Sequence, residues 1–321
     1  MNPSRPAVAA LLVGLLLLVS LPFLADTFYV QFATKVLIMA IFAMSLNLLV
    51  GYTGLVSLGH AAFFGIAGYI LALTTPQYEA ASFWSSLALS VCGAALLALL
   101  IGALVLRTAG IYFIMVTLAF AQMLYYLFHD TGIAGGSDGI YIYVRPVADI
   151  AGWRPFDLDN VLHLYFMVLA LFAGVVILLR TIMRSPFGHV LSGIRVNEHR
   201  MRALGFATFR YKLVCFVIAG AVAGLAGYLS ALQFGVVNPD MLGWHLSGSA
   251  LLMVILGGMG TLTGPVLGAA AMMALELGFQ SVTKHWQLLM GTVIVLVALL
   301  MPRGLVGLVA VPRRPKDDDD D

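Results

Sequence analysis

Apolar runs of membrane-crossing length, separated by short polar breaks, fill the chain from residue 7 to residue 302. A helical crossing of the hydrocarbon layer needs about 20 apolar residues. The pattern predicts candidate spans at 7–24, 32–50, 55–74, 84–106, 111–128, 161–180, 213–233, 246–258, 261–282 and 286–302. The eighth is short, which predicts a tilted, broken or re-entrant segment. No series of short segments alternates with the period of a barrel strand. The expected fold is all-α: a polytopic membrane helix bundle of about ten transmembrane helices, forming a single domain over residues 1–316.

Composition supports this reading. The chain is 61% hydrophobic and only 10% charged, with a mean hydropathy of +1.00, against about 45–50% apolar for soluble domains. Cys92 and Cys215 sit in apolar runs and read as small buried residues. The run after Arg5 imitates a signal peptide, but it is long for one and reads as a retained first helix. Asp317–Asp321 reads as a disordered acidic tail.

Charge sets the expected orientation. With the N-terminus inside, all of the 17 Lys and Arg residues except Lys35, Arg145, Arg154 and Lys284 fall on the cytoplasmic side. Positive residues concentrate on that side of membrane proteins, so both termini are predicted to be cytoplasmic. Basic residues are not interleaved with aromatics, so no nucleic-acid partner is expected.

Two loops stand out. The outer loop at 129–160 carries Gly135, Gly136, Gly139, Pro146 and Pro155 with Tyr141, Tyr143, Trp153 and Phe156. It reads either as a contact for an external partner or as a lid over the helices. The cytoplasmic loop at 181–212 is rich in arginine. Ser185-Pro186 suits a helix start, and Phe187, Val190, Leu191 and Ile194 recur at helical spacing, with His189, Ser192 and Arg195 on other faces. Asn197 suits the cap of a second short helix, with Met201 and Leu204 on its apolar side, Glu198 and Arg202 beside them, and Gly205 as its stop. Such a pair lies on anionic lipid, or it enters a groove on a cytoplasmic motor and passes motion to the flanking spans.

Polar residues within the spans are the candidates for a translocation path. Gly51, Gly54, Gly59, Gly65 and Gly68 punctuate the second and third spans, either for close helix packing or for a broken helix whose free backbone groups meet a substrate. Asn47, Tyr52, Thr53, Ser57 and His60 cluster around the same break; His60 taken alone reads as a satisfied structural residue. Thr117 and Gln122 suit interhelical hydrogen bonds. Glu276 is the acid placed well inside a predicted span, with Lys284 and His285 as local partners, and an ionisable group at that depth is a functional candidate. The methionines between Met241 and Met301 read as lipid-facing or core filler. No metal-ligand spacing, nucleophile–base arrangement or GxxxxGK[ST] phosphate loop occurs. The chain is therefore expected to be a non-enzyme that binds no cofactor.

Several segments resemble the permeases of branched-chain amino acid ABC transporters. They are NLLVGYTGLVSLGHAAFFGIAGYILAL (Asn47–Leu73), SPFGHVLSGIRVNEHRMRALGFATFRYKL (Ser185–Leu213), GIYFIMVTLAFAQM (Gly110–Met123), GGSDGI (Gly135–Ile140) and LLMVILGGMGTLTGPVLGAA (Leu251–Ala270). The likeness runs from about residue 31 onward and is nearest to the M-type permease, with its extra N-terminal helix. It implies an importer of branched-chain amino acids in the bacterial inner membrane. An H-type permease, two cytoplasmic ATPase subunits carrying ATP and Mg, and a periplasmic or extracellular binding protein would complete it. It also implies that ATPase coupling runs through Arg195, Asn197, Glu198, Arg202, Ala203, Leu204 and Gly205. The permease motif begins Glu-Ala-Ala and ends at Gly; here His199 and Arg200 replace the two alanines, and the spacing is one residue longer. Relatives that carry urea, short amides or aromatic acids, and a stand-alone passive channel, are the alternatives.

Overall fold

The computed structural model describes residues 18–23, 25–76, 81–150, 153–301 and 304–309. The expected first span therefore lies largely outside the described residues, as does the acidic tail. Its described end, 18–23, is helical and receives a hydrogen bond from the Tyr165 hydroxyl to the Leu18 carbonyl, at 2.7 Å.

The described chain is overwhelmingly helical. The helices are α1 Thr27–Thr53, α2 Ala61–Thr74, α3 Phe83–Val105, α4 Ile111–Asp130, α5 Val161–Arg184, α6 Pro186–Val196, α7 Glu198–Ala203, α8 Thr208–Phe234, α9 Trp244–Gly257, α10 Gly264–Val282, α11 Trp286–Leu300 and α12 Val306–Val309. Six of them, α1, α3, α4, α5, α8 and α10, are long and apolar enough to cross a membrane. Helix α1 is apolar on all sides, the pattern of a helix enclosed by others, and 89% of its most apolar window is buried, against 22% for α4. Helix α8 is the second central helix and packs on α1, α2 and α3. Small residues allow this. Gly220 and Gly224 of α8 face Ala98 and Ala94 of α3, and Gly227 faces the Phe64 carbonyl of α2. With no water to exclude between helices in lipid, such close backbone approach supplies the attraction.

The expected third span, 55–74, is corrected. Residues 54–60 are not helical, and α2 begins only at Ala61. Helix α1 ends at Gly54 in the left-handed conformation (φ 75°, ψ 13°), which turns the chain and which L-residues other than glycine avoid. The same design recurs in α8, which also has 27 residues, ends at Gly235 (φ 66°, ψ 16°) and is followed by the 14-residue α9. A 14-residue helix spans about 21 Å at 1.5 Å per residue, short of a hydrocarbon layer of about 30 Å. Both α2 and α9 are thus half-helices completed by non-helical chain. Their N-terminal ends meet, where the Ala61 amide donates to Ser247 Oγ at 2.8 Å.

The two units run in opposite directions. Cys215 near the start of α8 lies at the Leu48 carbonyl near the end of α1, whereas Gln233 at the end of α8 donates to the Gln31 carbonyl near the start of α1, at 2.7 Å. This is an inverted-topology repeat, an architecture of membrane transporters. It also sorts the loops by end. Gly51 and the 258–263 segment share one end with Arg195. The outer loop lies at the other end, next to Gly235.

That outer loop is more ordered than an all-α reading expects. Strand β1, Ile140–Tyr141, pairs antiparallel with β4, Val236–Val237, and β2, Ala148–Ile150, pairs with β3, Trp153–Phe156. The Ile142 amide donates to the Gly235 carbonyl at 2.8 Å, so the loop is pinned to the α8–α9 link. Tyr141 and Tyr143 remain exposed on it.

Cys215 is buried as expected, but Cys92 is exposed. It sits on the outward face of α3, where lipid rather than protein surrounds an apolar run.

Candidate functional site

The basic loop folds as two short helices, as its spacing predicts. Pro186 opens α6, but Ser185 does not cap it. Its hydroxyl donates back to the Ile182 carbonyl at 2.6 Å, because Ser185 also closes α5. Val190, Leu191 and Ile194 are buried against the bundle. Asn197 caps α7 as predicted, accepting from the Arg200 amide at 2.9 Å. Gly205 then turns the chain at φ +88°. Met201 packs back toward Gly193, whereas Leu204, read as apolar cover, is 65% exposed and Val196 86% exposed. Ala203 is exposed beside Leu204. Helix α6 is thus docked while the α7 tip projects.

Glu198 fixes α7 to the first turns of α8. It accepts from Arg202 at 2.6 Å, from Thr208 at 3.0 Å and from Lys212 at 3.0 Å. Burial raises its carboxyl, but the hydrogen bonds from Lys212, Arg202 and Thr208 and the Lys212 charge outweigh this, bringing it from 4.5 down to about 2. A depressed carboxylate pKa contributes stability that is complete above the unfolded value and is lost as pH falls through the folded one. Protease resistance of 185–212 in membranes is therefore expected to hold from neutral pH down to about 4.5 and to fail toward pH 2. Glu198→Gln lowers that resistance already at pH 7; equal resistance in the variant would remove Glu198 as the fastener.

Arg195, assigned from sequence to coupling, and Gly51 and Asn47, assigned to the path, meet at the same end of the bundle. The Arg195 guanidinium of α6 donates to the Gly51 carbonyl of α1. One turn earlier, buried Asn47 donates to the Thr261 carbonyl at 2.8 Å and accepts from the Gly260 amide at 3.0 Å. Thr261 Oγ1 in turn accepts from the Gly264 amide at 3.0 Å, at the start of α10. A single asparagine therefore joins α1 to the α9–α10 joint, and Arg195 joins both to the basic hairpin. Gly260 and Thr261 carry no sequence signal of this role beyond the glycines at 257, 258, 260 and 264 around them.

The other path candidates line the α1–α2 break or its neighbours. Thr53 is buried and bonds the Leu49 carbonyl of its own helix at 2.6 Å, and Tyr52 is half-buried beside it. Ser57 is buried and accepts from the Gly59 amide at 3.3 Å. His60 is fully buried, with Nε2 2.8 Å from Ser45 Oγ. The Ser45 proton goes to the Phe42 carbonyl at 2.6 Å, so Nε2–H donates to Ser45 and Nδ1 is left without a partner among the described residues. The expectation of a fully satisfied histidine is corrected to half. Thr117 does not bridge helices. Its hydroxyl bonds the Ile114 carbonyl within α4 at 2.9 Å, while its backbone carbonyl abuts Gly59. Gln122 is half-buried and makes no hydrogen bond among the described residues.

Glu276 lies elsewhere, on the wall shared by two clefts of about 610 Å³ and 350 Å³. Its partner is Lys35 of α1, at 4.0 Å, and Gln280 donates to it at 3.2 Å. The expected local pairing with Lys284 or His285 is corrected. Helix α10 ends at Val282, so both residues lie past it, while Glu276 faces α1. Several methionines expected to be filler, among them Met253, Met272, Met273 and Met290, line the larger cleft.

Two broken spans in an inverted repeat are an architecture found among multi-pass membrane transporters. The chain belongs to the branched-chain amino acid transport system permease component family, whose model matches residues 28–298. It is 32% identical over 315 residues to the high-affinity branched-chain amino acid transport system permease protein LivM of Escherichia coli K12, covering 92% of this chain and 74% of that protein. To LivM of Salmonella typhimurium it is 31% identical over 311 residues, 91% of this chain and 73% of the relative. A shorter match, 33% identical over 107 residues, covers 32% of this chain and 34% of the permease protein LivH of Escherichia coli K12. No solved structure matches the chain.

Proposed function

We propose that this chain is the M-type permease subunit of an ABC importer of branched-chain amino acids in a bacterial inner membrane. It pairs with an H-type permease, two cytoplasmic ATPase subunits that hold ATP and Mg, and an external binding protein. The chain itself binds no cofactor. Both termini and the 181–212 segment face the cytoplasm, and about ten helices cross the membrane.

One observation carries the mechanism: the basic hairpin is hydrogen-bonded into the membrane helices and does not lie loose beside them. Closure of the ATPase pair pushes the exposed tip around Val196 and Leu204. Glu198 passes that motion to α8 through Lys212, and Arg195 passes it to the end of α1. Asn47 relays it to the α9–α10 joint. Each long helix carries a half-helix behind it, so tilting α1 and α8 moves α2 and α9 and switches the path between inward and outward access.

The test is L-leucine uptake by cells carrying the complete importer. Uptake is expected to stop when the ATPase partner can no longer hydrolyse ATP. Flux through this chain alone in proteoliposomes, equal to that in cells, would leave a passive channel.

A further inference from the structure

The Lys35–Glu276 pair is an unusual way to hold two charges on apolar helices. Ionised groups there are expensive and are normally closely paired. Charge-assisted N–H···O bonds run to about 2.7–2.9 Å. Here the two charges stand 4.0 Å apart. Lys35 makes no hydrogen bond among the described residues, so its three donors are unspent. Glu276 receives one bond, from Gln280 to Oε1 at 3.2 Å, and Oε2 remains available. Both side chains are partly exposed, and both line both clefts.

We propose that Lys35 and Glu276 bind the charged ends of an α-amino acid zwitterion, and that the methionine-lined cleft beside them takes its apolar side chain. The proposal deepens the function given above and rests on it. An α-amino acid carries one ammonium and one carboxylate on a single carbon. Set against a Lys–Glu pair left slightly apart, it matches both charges at once: its carboxylate meets the Lys35 ammonium and its ammonium meets Glu276 Oε2. Four alternating charges then neutralise one another. A ligand of one sign leaves one protein charge uncompensated. The larger cleft, about 610 Å³, falls within the range of about 300–1,000 Å³ common for small-molecule sites. Met39, Met253, Met272, Met273 and Met290 line it. Unbranched thioether side chains adapt to apolar groups of different branching, which suits a wall that meets leucine, isoleucine and valine in turn.

The test uses cells carrying the complete importer, with radiolabelled L-leucine as probe, and reads the amount of inserted protein and ATP hydrolysis in membrane vesicles alongside uptake. A wild-type importer that takes up no leucine overturns the functional reading itself, before any variant is compared. With wild-type uptake present, Lys35→Gln and Glu276→Gln are each expected to lower it roughly tenfold, the scale of about 1.4 kcal/mol lost from one charged contact to the ligand, with ATP hydrolysis retained. Wild-type uptake in either variant overturns the site. If the single variants fail to insert, the exchange Lys35→Glu with Glu276→Lys decides, because it keeps a pair. A merely structural pair regains full uptake, which overturns the proposal. A zwitterion site holds its ligand reversed in that background, with the side chain aimed away from the methionines, and uptake stays low.

Discussion

Gly51→Ala is expected to lower leucine uptake by roughly two orders of magnitude while ATP hydrolysis continues. A Cβ on Gly51 falls on Asn47 Oδ1, well inside van der Waals contact, and lies 2.6 Å from the Gly260 amide nitrogen. Neither neighbour can swing aside, because Asn47 is buried and bonded at both ends of its amide. The added methyl therefore pushes the end of α1 off the α9–α10 joint, at about 1–3 kcal/mol for overpacking and about 1 kcal/mol for the hydrogen bond it disrupts. At about 1.4 kcal/mol per decade, that energy misaligns the relay by the stated factor. The damage is confined to one end of the bundle, so the protein still inserts. Uptake and ATP hydrolysis measured in the same vesicles check this; wild-type uptake in the variant would show that force does not pass through Gly51.

Gly227→Leu is expected to lower sharply the amount of assembled bundle. The added Cβ lands on the Phe64 carbonyl oxygen of α2, with the rest of that peptide unit 2.6–2.9 Å away. Backbone cannot rotate out of the way as a side chain can. Helix α8 must therefore separate from α2 at the crossing where Gly220 and Gly224 also need close approach to α3. The cost is about 3 kcal/mol or more, the upper end for overpacking, set against a total stability of about 5–15 kcal/mol. The amount of monodisperse detergent-solubilised protein reads it out. Gly174→Ala in α5, where a new Cβ meets nothing within 4 Å, is the control and should accumulate normally.

Local chemistry was readable in the sequence, and tertiary chemistry was not. Asn197 and Gly205 announced the basic hairpin because capping depends on a few adjacent residues. Most spans were visible because a run of apolar residues is itself the physical requirement for crossing lipid. The glycines marked a break after α1 but not its length, since Leu55, Val56 and Leu58 are as apolar as the helices on either side. The left-handed Gly54 starts the non-helical chain, and hydropathy does not register backbone dihedrals. The inverted repeat stayed hidden for the same reason, its halves matching in helix length and cap geometry. Glu276 stood out as a charge in an apolar run, but Lys35, its partner, is on a helix at the other end of the chain. Cys92 shows the converse limit: in lipid, an apolar run has no polar face to mark which side is buried.

That the 185–205 hairpin is a handle held by an ATPase is tested most directly by in-cell crosslinking with a thiol-reactive photo-crosslinker. Cys92 and Cys215 are replaced by serine, and single cysteines are placed at Val196 and Leu204, the exposed tip. The expected result is a crosslink to the nucleotide-hydrolysing subunit that strengthens when ATP is trapped. Crosslinks absent under all nucleotide conditions, with both positions labelled from the external face of intact cells, would contradict it.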